Sequence, residues 1–367
     1  MVEDKKGINI RWTRQDRRIG SMKILLYSGS QKLIERSGVG RAIYHQMEAL
    51  SRASVEYTID VKEDWDMVHI NTIFPGSFLL ALRARISGKC VVYHGHSTDL
   101  DFRNSFVGSN LVAPLFKQWL KLCYGMGDVI VAPTPYAAEV IRSYGLGKPV
   151  FSISNGINLD FYQRSERARQ DFREKYGFQE TDKVVLSVGL PIDRKGVLDF
   201  IQLATELPQY QFVWFGDLEI PMLPPHIKEA LKTDLPNLHF PGYIQKEELR
   251  NAYCGSDVFL FLTKEETEGI VLLEALAMGC PVLVRDIPIY ESWLEDGQDV
   301  NKARTVEEFR GKLIDMLEGE TAKSLPRITL AGYQIAAARS MDVVGQQLKR
   351  VYESVSQRKL RGSCGWI

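Results

Sequence analysis

Two glutamates, Glu266 and Glu274, are separated by seven residues in the sequence ETEGIVLLE. Gly269 lies between them and opens an apolar stretch with the composition of a buried helix. A helix that begins there directs the free backbone N–H groups of Ile270 and Val271, and the positive end of its dipole, toward a pyrophosphate. Glu274 is surrounded by apolar residues, where a carboxylate without a partner is costly. The spacing therefore indicates a site for a ligand that carries both phosphate and hydroxyl groups.

A second charged group lies in the sequence DRKG, between a predicted strand and a predicted helix. Arg194 and Lys195 would place two cations beside a diphosphate. The same sequence also suits a solvated turn, so on its own it does not decide the function. Gly189 and Gly216 follow predicted strands and are candidate binding residues, although a structural turn explains Gly216 equally well.

A pair of histidines, His94 and His96, lies at the end of another predicted strand. Side chains two positions apart on an extended chain point to the same face, as in many metal sites. No third ligand is placed nearby, so we predict no metal site and no metal cofactor. His94 is also compatible with a purely structural role.

These residues lie on loops between the elements of two consecutive α/β series. Predicted strands of the first series lie at residues 23–27, 67–70, 90–94, 129–132 and 150–153. Those of the second lie at residues 184–188, 211–215, 238–240, 258–262 and 281–284. Predicted helices alternate with them at residues 41–52, 198–206, 246–253 and 269–278. The alternation predicts an α/β protein with two tandem Rossmann-like domains, whose parallel sheets face a ligand-binding cleft.

The length of 367 residues also fits two domains. We assign residues 1–21 to a disordered extension, 22–165 to a first Rossmann-like domain and 166–340 to a second one. Residues 341–367 are predicted to form a C-terminal helix and a basic tail. The polar segment 160–182 suits a linker with one short helix.

Composition narrows the class of protein further. The net charge is zero overall, but residues 1–165 carry about +6 and the remainder about −6. This modest basic surplus suits an anionic membrane surface or scattered surface lysines, and we predict no nucleic-acid partner. The five cysteines form no C-x-x-C pair, which suits buried thiols in a reducing cytosol. No uninterrupted apolar run is long enough to span a membrane.

The stretch at residues 266–277 resembles the E-x7-E motif of retaining GT-B glycosyltransferases of family 4, and the resemblance extends over residues 22–357. It implies that Glu266 contacts hydroxyls of the transferred sugar and that Glu274 binds the nucleotide ribose. It also implies that Arg194 and Lys195 neutralise the donor phosphates. Residues 166–340 would then form the nucleotide-sugar-binding domain, and residues 22–165 would face the acceptor and membrane. The family often has an arginine after the glycine equivalent to Gly189, whereas this chain has a leucine.

Three further elements match family motifs. Gly38 and Gly40 resemble the glycine loop near the donor phosphates, and Asn155 begins a sequence similar to the N-G-I-[DN] element. Its Asn and Gly also suit a structural turn. The resemblance implies that His96 contacts the donor sugar, where a neutral imidazole or its backbone would stabilise charge that develops in the reaction.

The segments at residues 36–42, 94–98, 101–106 and 265–271 together resemble one subgroup, the diglycosyldiacylglycerol synthases of Gram-positive bacteria. This resemblance implies transfer of glucose or galactose from a UDP-sugar to monoglucosyldiacylglycerol, giving a glycolipid that can anchor lipoteichoic acid. The apolar segment 103–124 also contains Lys117 and Lys121, which suits either a core helix or an interfacial helix. We therefore expect a cytoplasmic enzyme, peripheral at the inner face of the cell membrane.

The family's favoured mechanism is attack on the same face of the sugar, with a donor phosphate oxygen as the base. Three alternatives remain open from the sequence. The acceptor could be a soluble sugar or a polysaccharide precursor. The protein could instead be a nonhydrolysing UDP-sugar epimerase or a noncatalytic protein that binds sugar nucleotides.

Overall fold

The computed structural model describes residues 22–29, 38–103, 108–217 and 223–360. The extension predicted for residues 1–21 and the end of the basic tail lie outside these residues. The same holds for residues 36–37 of the motif segment 36–42 and residues 104–106 of the motif segment 101–106. Within them, two parallel sheets of six strands each are present. The predicted α/β architecture is therefore confirmed. None of the described helices combines the length and apolar character needed to cross a membrane.

The first sheet has the strand order β2-β1-β3-β4-β5-β6. Its strands are β1 (Ile24–Tyr27), β2 (Tyr57–Thr58), β3 (Met67–Ile70), β4 (Cys90–His94), β5 (Val129–Ala132) and β6 (Val150–Ser152). The helices of this part are α1 (Gly38–Arg52), α2 (Pro75–Ile86), α3 (Asp99–Phe102), α4 (Ser109–Gly125) and α5 (Pro135–Arg142). The central strands are continuous apolar runs because helices cover both faces of a parallel sheet.

The second sheet has the order β12-β11-β10-β7-β8-β9. Its strands are β7 (Val184–Val188), β8 (Gln211–Phe215), β9 (Leu238–Gly242), β10 (Val258–Phe261), β11 (Val282–Arg285) and β12 (Asn301–Ala303). Its helices are α6 (Glu166–Tyr176), α7 (Val197–Glu206), α8 (Pro225–Ala230), α9 (Lys246–Gly255), α10 (Ile270–Ala277), α11 (Val306–Glu318) and α12 (Thr321–Ala337). Sequence analysis did not identify the short outer strands β2 and β12.

The last helix, α13 (Met341–Leu360), returns to the first sheet. Met341, Val344 and Leu348 share a buried cluster with Ile24 and Leu26 of β1. The chain thus passes twice between the sheets, and the two crossings lie side by side. The backbone N–H of Ile157 donates to the carbonyl of Arg339 (3.0 Å), and that of Met341 donates to the carbonyl of Ile157 (3.1 Å).

Candidate active site

A cation pair and a carboxylate meet at the carboxyl end of the second sheet. Asp193–Lys195 forms a single 3-10 turn after β7, and Lys195 Nζ donates to Glu266 Oε2. Arg194 Nη1 lies 4.0 Å from the same oxygen and donates to the backbone carbonyl of Glu265 (2.7 Å). The side chains of Lys195 and Glu266 are only 15% and 13% exposed. Three predicted site residues therefore form one mostly buried cluster, which we call the cation cluster. They are Arg194, Lys195 and Glu266.

The ionisation of this cluster follows from burial and charge together. Burial lowers the pKa of Lys195, and the neighbouring carboxylate of Glu266 offsets part of that effect. Burial acts to raise the pKa of Glu266, but Lys195 and Arg194 outweigh it and hold that pKa below its ordinary value. Glu266 is therefore a carboxylate at neutral pH. It can accept hydrogen bonds from hydroxyl groups of a ligand.

Glu274 lies on α10 and has no exposed surface. Arg41, from α1 across the cleft, donates to Glu274 Oε1. The hydroxyl of Tyr253 donates to the other carboxylate oxygen at 3.0 Å. Charge attraction to Glu274 raises the pKa of Arg41 further, so the guanidinium of Arg41 stays charged. The buried carboxylate thus has the partner that its apolar surroundings require.

The loop at residues 265–268 is held by the first domain at several points. Thr134 Oγ1 donates to the carbonyl of Thr267 (2.8 Å), and the hydroxyl of Tyr136 donates to Glu265 Oε1 (3.2 Å). The backbone N–H and side-chain amide of Asn155 donate to Glu268 Oε2 at 2.9 and 2.8 Å. Each contact joins the two domains across the cleft.

Two carboxyl groups of this loop have unusual proton affinity. Burial raises the pKa of Glu268 to about 7, although hydrogen bonds from Ser154 and Asn155 act against the shift. Burial likewise raises the pKa of Glu265 to about 7, against the hydrogen bond from Tyr136. Glu268 Oε1 is buried and has no hydrogen-bond partner in the described part of the chain. These two groups therefore titrate near neutral pH.

His96 lies in the first domain, in the loop after β4. Its Nε2 is 3.0 Å from Asn71 Oδ1, and its ring stacks on that of His94 with centroids 3.9 Å apart. Burial lowers the pKa of His96 to about 3, so the imidazole is neutral. In the next helix, α3, burial raises the pKa of Asp101 while the charge of Arg194 opposes the shift. Asp101 thus links this loop electrostatically to the cation cluster.

Two of the predicted glycines, Gly216 and Gly269, occupy positions with a backbone conformation that other residues rarely adopt. Gly216 has φ of +137°, and a Cβ there would lie 2.0 Å from the carbonyl oxygen of Gly189. Gly269 has φ of +87° and precedes α10, so the backbone of Ile270 and Val271 forms the first turn of that helix. Gly38 and Gly40 form the first turn of α1 beside Arg41.

The structure thus brings Arg194, Lys195 and Glu266 together, with Gly189 beside Lys195. Glu274 is contacted instead by Arg41 of the first domain. The side chain of Asn155, which was predicted to bind the ligand, donates instead to Glu268. The partners that sequence reasoning missed are Arg41, Asn71, Asp101, Tyr253 and Glu268. Arg41, Asp101 and Glu268 lie inside the motif segments 36–42, 101–106 and 265–271. A charged residue beside a glycine is the signal that could have found Arg41 and Glu268.

Comparison with solved structures places the fold among known enzymes. The chain is similar to the Anabaena protein HepE in complex with UDP-glucose, with a TM-score of 0.71, 16% identity and coverage of 91% of this chain and 100% of that chain. It is also similar to sucrose-phosphate synthase from Thermosynechococcus elongatus, with a TM-score of 0.75, 15% identity and coverage of 92% and 99%. The two parallel sheets of this chain and its similarity to these structures define its fold as that of the GT-B class of glycosyltransferases.

Comparison of sequences is more specific. Residues 58–161 match Glycosyltransferase Family 4, and residues 168–334 match Glycosyl transferases group 1. The chain is 38% identical over 339 residues to the processive diacylglycerol alpha-glucosyltransferase of Acholeplasma laidlawii, covering 92% of this chain and all of that protein. It is 25% identical over 307 residues to the alpha-galactosylglucosyldiacylglycerol synthase of Streptococcus pneumoniae, covering 80% of each. The chain therefore belongs to glycosyltransferase family 4.

Proposed function

We propose that this protein transfers a hexose from a UDP-sugar to monoglucosyldiacylglycerol, with retention of the anomeric configuration. The full-length similarity to a processive diacylglycerol alpha-glucosyltransferase carries the proposal, because no part of that relative is left uncovered. Its name supports glucose as the transferred sugar, whereas the Streptococcus pneumoniae relative supports galactose. UDP and UDP-glucose in the structures of HepE support a UDP-sugar donor.

The donor end of the cleft supports the same chemistry. Arg194, Lys195 and the first turn of α10 supply positive charge for the diphosphate, so the proposal needs no metal ion. Glu266 is assigned to the hydroxyls of the transferred sugar, which lies beside the loop of His96. Glu274 is assigned to the ribose hydroxyls. Because Glu274 has no exposed surface beneath Arg41, ribose binding requires that Arg41 move aside.

The proposed reaction occurs on one face of the sugar. The bond between the anomeric carbon and the phosphate oxygen breaks while an acceptor hydroxyl forms the new bond from the same side. The departing phosphate oxygen takes the proton of that hydroxyl. Glu266 accepts a hydrogen bond from Lys195. We therefore assign its carboxylate to binding of the sugar and not to attack on the anomeric carbon. The main contribution of the protein is stabilisation of negative charge on the leaving UDP.

Two neighbouring helices of the first domain support a membrane-bound acceptor. On α4, Leu111, Leu115 and Leu122 share one face and are 85%, 73% and 55% exposed. On α2, Leu79 and Ile86 are 62% and 72% exposed. The rings of Phe78 on α2 and Trp119 on α4 pack with centroids 5.7 Å apart, which joins the two helices.

We call these exposed residues of α2 and α4 the apolar face. An exposed apolar surface of this kind marks a contact with a membrane or a protein. Lys121 of α4 can reach anionic headgroups while the leucines enter the acyl region, whereas Lys117 pairs with the buried Asp99 at 3.4 Å. We therefore propose that the protein docks on the inner face of the cell membrane through the apolar face.

The test is identification of the lipid product. Radiolabelled UDP-glucose or UDP-galactose is incubated with vesicles that contain diacylglycerol or monoglucosyldiacylglycerol, with and without EDTA. The expected product is a diglycosyldiacylglycerol whose new linkage is α, formed equally well with EDTA. Turnover that needs only a soluble acceptor would support the first alternative. Conversion of the UDP-sugar without any acceptor would support an epimerase, and UDP binding without turnover would support a noncatalytic protein.

A further inference from the structure

Arg41 lies near the start of α1 and reaches across the cleft to the second domain. It is the fourth residue of this helix, and the first turn contains no acidic residue. The positive end of a helix dipole disfavours a cation at this place. Arg41 is nevertheless held there by Glu274, to which its Nη1 atom donates. The position of Arg41 is therefore favourable only while an anion lies on the other side of the cleft.

The guanidinium of Arg41 uses only part of its capacity for hydrogen bonds. A guanidinium carries five N–H groups. In the described part of the chain, Glu274 is the only acceptor of a hydrogen bond from this side chain. The side chain of Arg41 is 26% exposed, whereas that of Glu274 has no exposed surface. A ligand in the cleft can therefore reach the guanidinium before it reaches the carboxylate.

The carboxylate of Glu274 lies beside the first turn of α10, although the residue itself belongs to the second turn. The hydroxyl of Tyr253 lies 3.0 Å from Glu274 Oε2 and 3.1 Å from the carbonyl oxygen of Val271. One turn of an α-helix rises by about 5.4 Å. A movement of about one turn would thus bring the guanidinium of Arg41 to the end of α10, where the diphosphate is proposed to bind.

The backbone of α1 is fixed beside this pair. One turn after Arg41, the ring of His45 donates from Nδ1 to the carbonyl of Gly156 (2.9 Å). Farther along the same face, Glu48 Oε1 accepts a hydrogen bond from the side-chain amide of Asn158 (2.7 Å). These contacts hold α1 against the segment that joins the two domains. A change of partner therefore requires only the side chain of Arg41 to move.

Both charged groups have a replacement partner when a nucleoside diphosphate binds. Glu274 keeps the hydroxyl of Tyr253 and gains the ribose hydroxyls, which donate to a carboxylate. The planar guanidinium binds phosphate oxygens as well as carboxylate oxygens, often through two parallel hydrogen bonds. A ligand without phosphate leaves Arg41 without a replacement, and a ligand without ribose leaves Glu274 without one.

We propose that Arg41 exchanges Glu274 for the diphosphate of the donor, and so selects ligands that carry both a ribose and a diphosphate. Loss of the ion pair is compensated in full only when both groups bind together. A nucleoside or free pyrophosphate breaks the pair without that compensation. The inference rests on the proposed function, which assigns Glu274 to the ribose and α10 to the diphosphate, but it involves no lipid acceptor.

The test compares the binding of uridine and UDP to Arg41→Met. Equilibrium dialysis with radiolabelled UDP gives the Kd of UDP, and displacement of the label gives the Kd of uridine. Removal of Arg41 uncovers Glu274 for both ligands, so this effect cancels in the ratio of the uridine Kd to the UDP Kd. The lost contact with the diphosphate affects UDP alone. The ratio should therefore fall about tenfold or more.

Arg52→Met is the matched control. Arg52 lies on the same helix, is also 26% exposed and pairs with Glu48 and Asp160. Its ratio should equal that of the unaltered protein. A ratio for Arg41→Met within about threefold of that value would overturn the exchange, because a side chain that merely covers Glu274 affects both ligands equally.

A second variant keeps the inference testable if Arg41→Met is unstable. Glu274→Gln releases Arg41 from its ion pair without leaving a buried charge, and inorganic pyrophosphate is the probe. The affinity for pyrophosphate should rise about fivefold or more, because Arg41 no longer has to leave a carboxylate. An unchanged affinity would overturn the exchange.

The proposed function fails in a different way. Absence of turnover with every lipid acceptor would overturn that function, while the ratio for uridine and UDP would still decide the role of Arg41. Failure of the unaltered protein to bind UDP would overturn both.

Discussion

Replacement of Lys195 by methionine tests the division of labour in the cation cluster. The substitution keeps the length of the side chain but removes one of two cations beside the donor phosphates. Loss of one such electrostatic contact lowers turnover by about 100- to 1000-fold, or about 3 to 4 kcal/mol in the barrier. Arg194 remains 4.0 Å from Glu266 and supplies the residual charge. We therefore expect a loss near the lower end of this range.

The same substitution should also lower the free energy of unfolding. Breaking a buried ion pair costs about 3 to 5 kcal/mol when the remaining charge has no other partner. Glu266 keeps Arg194 nearby and is 13% exposed, so the expected cost is at most about 3 kcal/mol. Lys195→Met combined with Glu266→Gln removes both charges. It should recover most of the lost free energy of unfolding but none of the lost turnover.

The assay measures release of UDP in the presence of acceptor vesicles, and denaturant titration measures the free energy of unfolding. Lys264→Met is the matched control, because Lys264 pairs with Asp193 at 2.9 Å and is 41% exposed. Its turnover should equal that of the unaltered protein. Turnover of Lys195→Met within about threefold of that value would refute the reasoning, since it corresponds to less than about 1 kcal/mol. Recovery of turnover in the double variant would refute it as well.

Three further perturbations have defined outcomes. Arg41→Met should lower the free energy of unfolding by about 3 kcal/mol in denaturant titration, because the buried carboxylate across the cleft loses its counter-charge. Glu268→Gln should alter the pH dependence of stability. The folded pKa of Glu268 is about 7 against an ordinary value of 4.5, so its contribution to stability is complete below pH 4.5 and is lost as the pH rises through 7. The variant should therefore be more stable than the unaltered protein at pH 8, by about 3 kcal/mol, and equal to it below about pH 4. Leu111→Ser with Leu115→Ser should weaken sedimentation with anionic vesicles at least about tenfold, since each leucine contributes about 1.5 to 3 kcal/mol when buried.

A defined result would contradict each of these expectations. For Arg41→Met it is an unchanged free energy of unfolding. A pH profile of stability that is the same with and without the carboxyl group of Glu268 would show that it does not titrate near 7. Leu330→Ser is the control for vesicle binding, because Leu330 is 60% exposed on α12 of the second domain. Equal loss of binding in this control would argue against docking by the apolar face.

The central strands could be predicted from the sequence because parallel strands covered on both faces are short, continuous apolar runs. The predicted bounds of β3, β4, β5, β7 and β8 agree with the structure residue for residue. The outer strands β2 and β12 carry few apolar residues, since an edge strand is only partly covered. Packing of α13 on the first sheet could not be predicted, because an amphipathic pattern shows that a face is buried but not against what.

The candidate site divides in the same way. Lys195 and Glu266 lie in motifs whose spacing places them after adjacent strands of one sheet, so their meeting follows from the topology. Contacts across the cleft, such as Arg41 with Glu274, depend on how the two domains face each other. Local spacing contains no information on that geometry. The hydrogen-bond partner of His96 was missed for a related reason, since Asn71 belongs to no motif and reaches it only through packing.

The return of α13 to the first sheet has a consequence for how the chain is made. A ribosome releases the strands of the first sheet early, but the helix that covers Ile24 and Leu26 emerges only after residue 341. The whole second domain is synthesised in between, and domains generally fold as units. The side of the first sheet that α13 covers therefore stays exposed, and available to chaperones, while the second domain folds to completion. A nascent chain that is truncated before α13 would lose the domain that was made first, not the one that was made last.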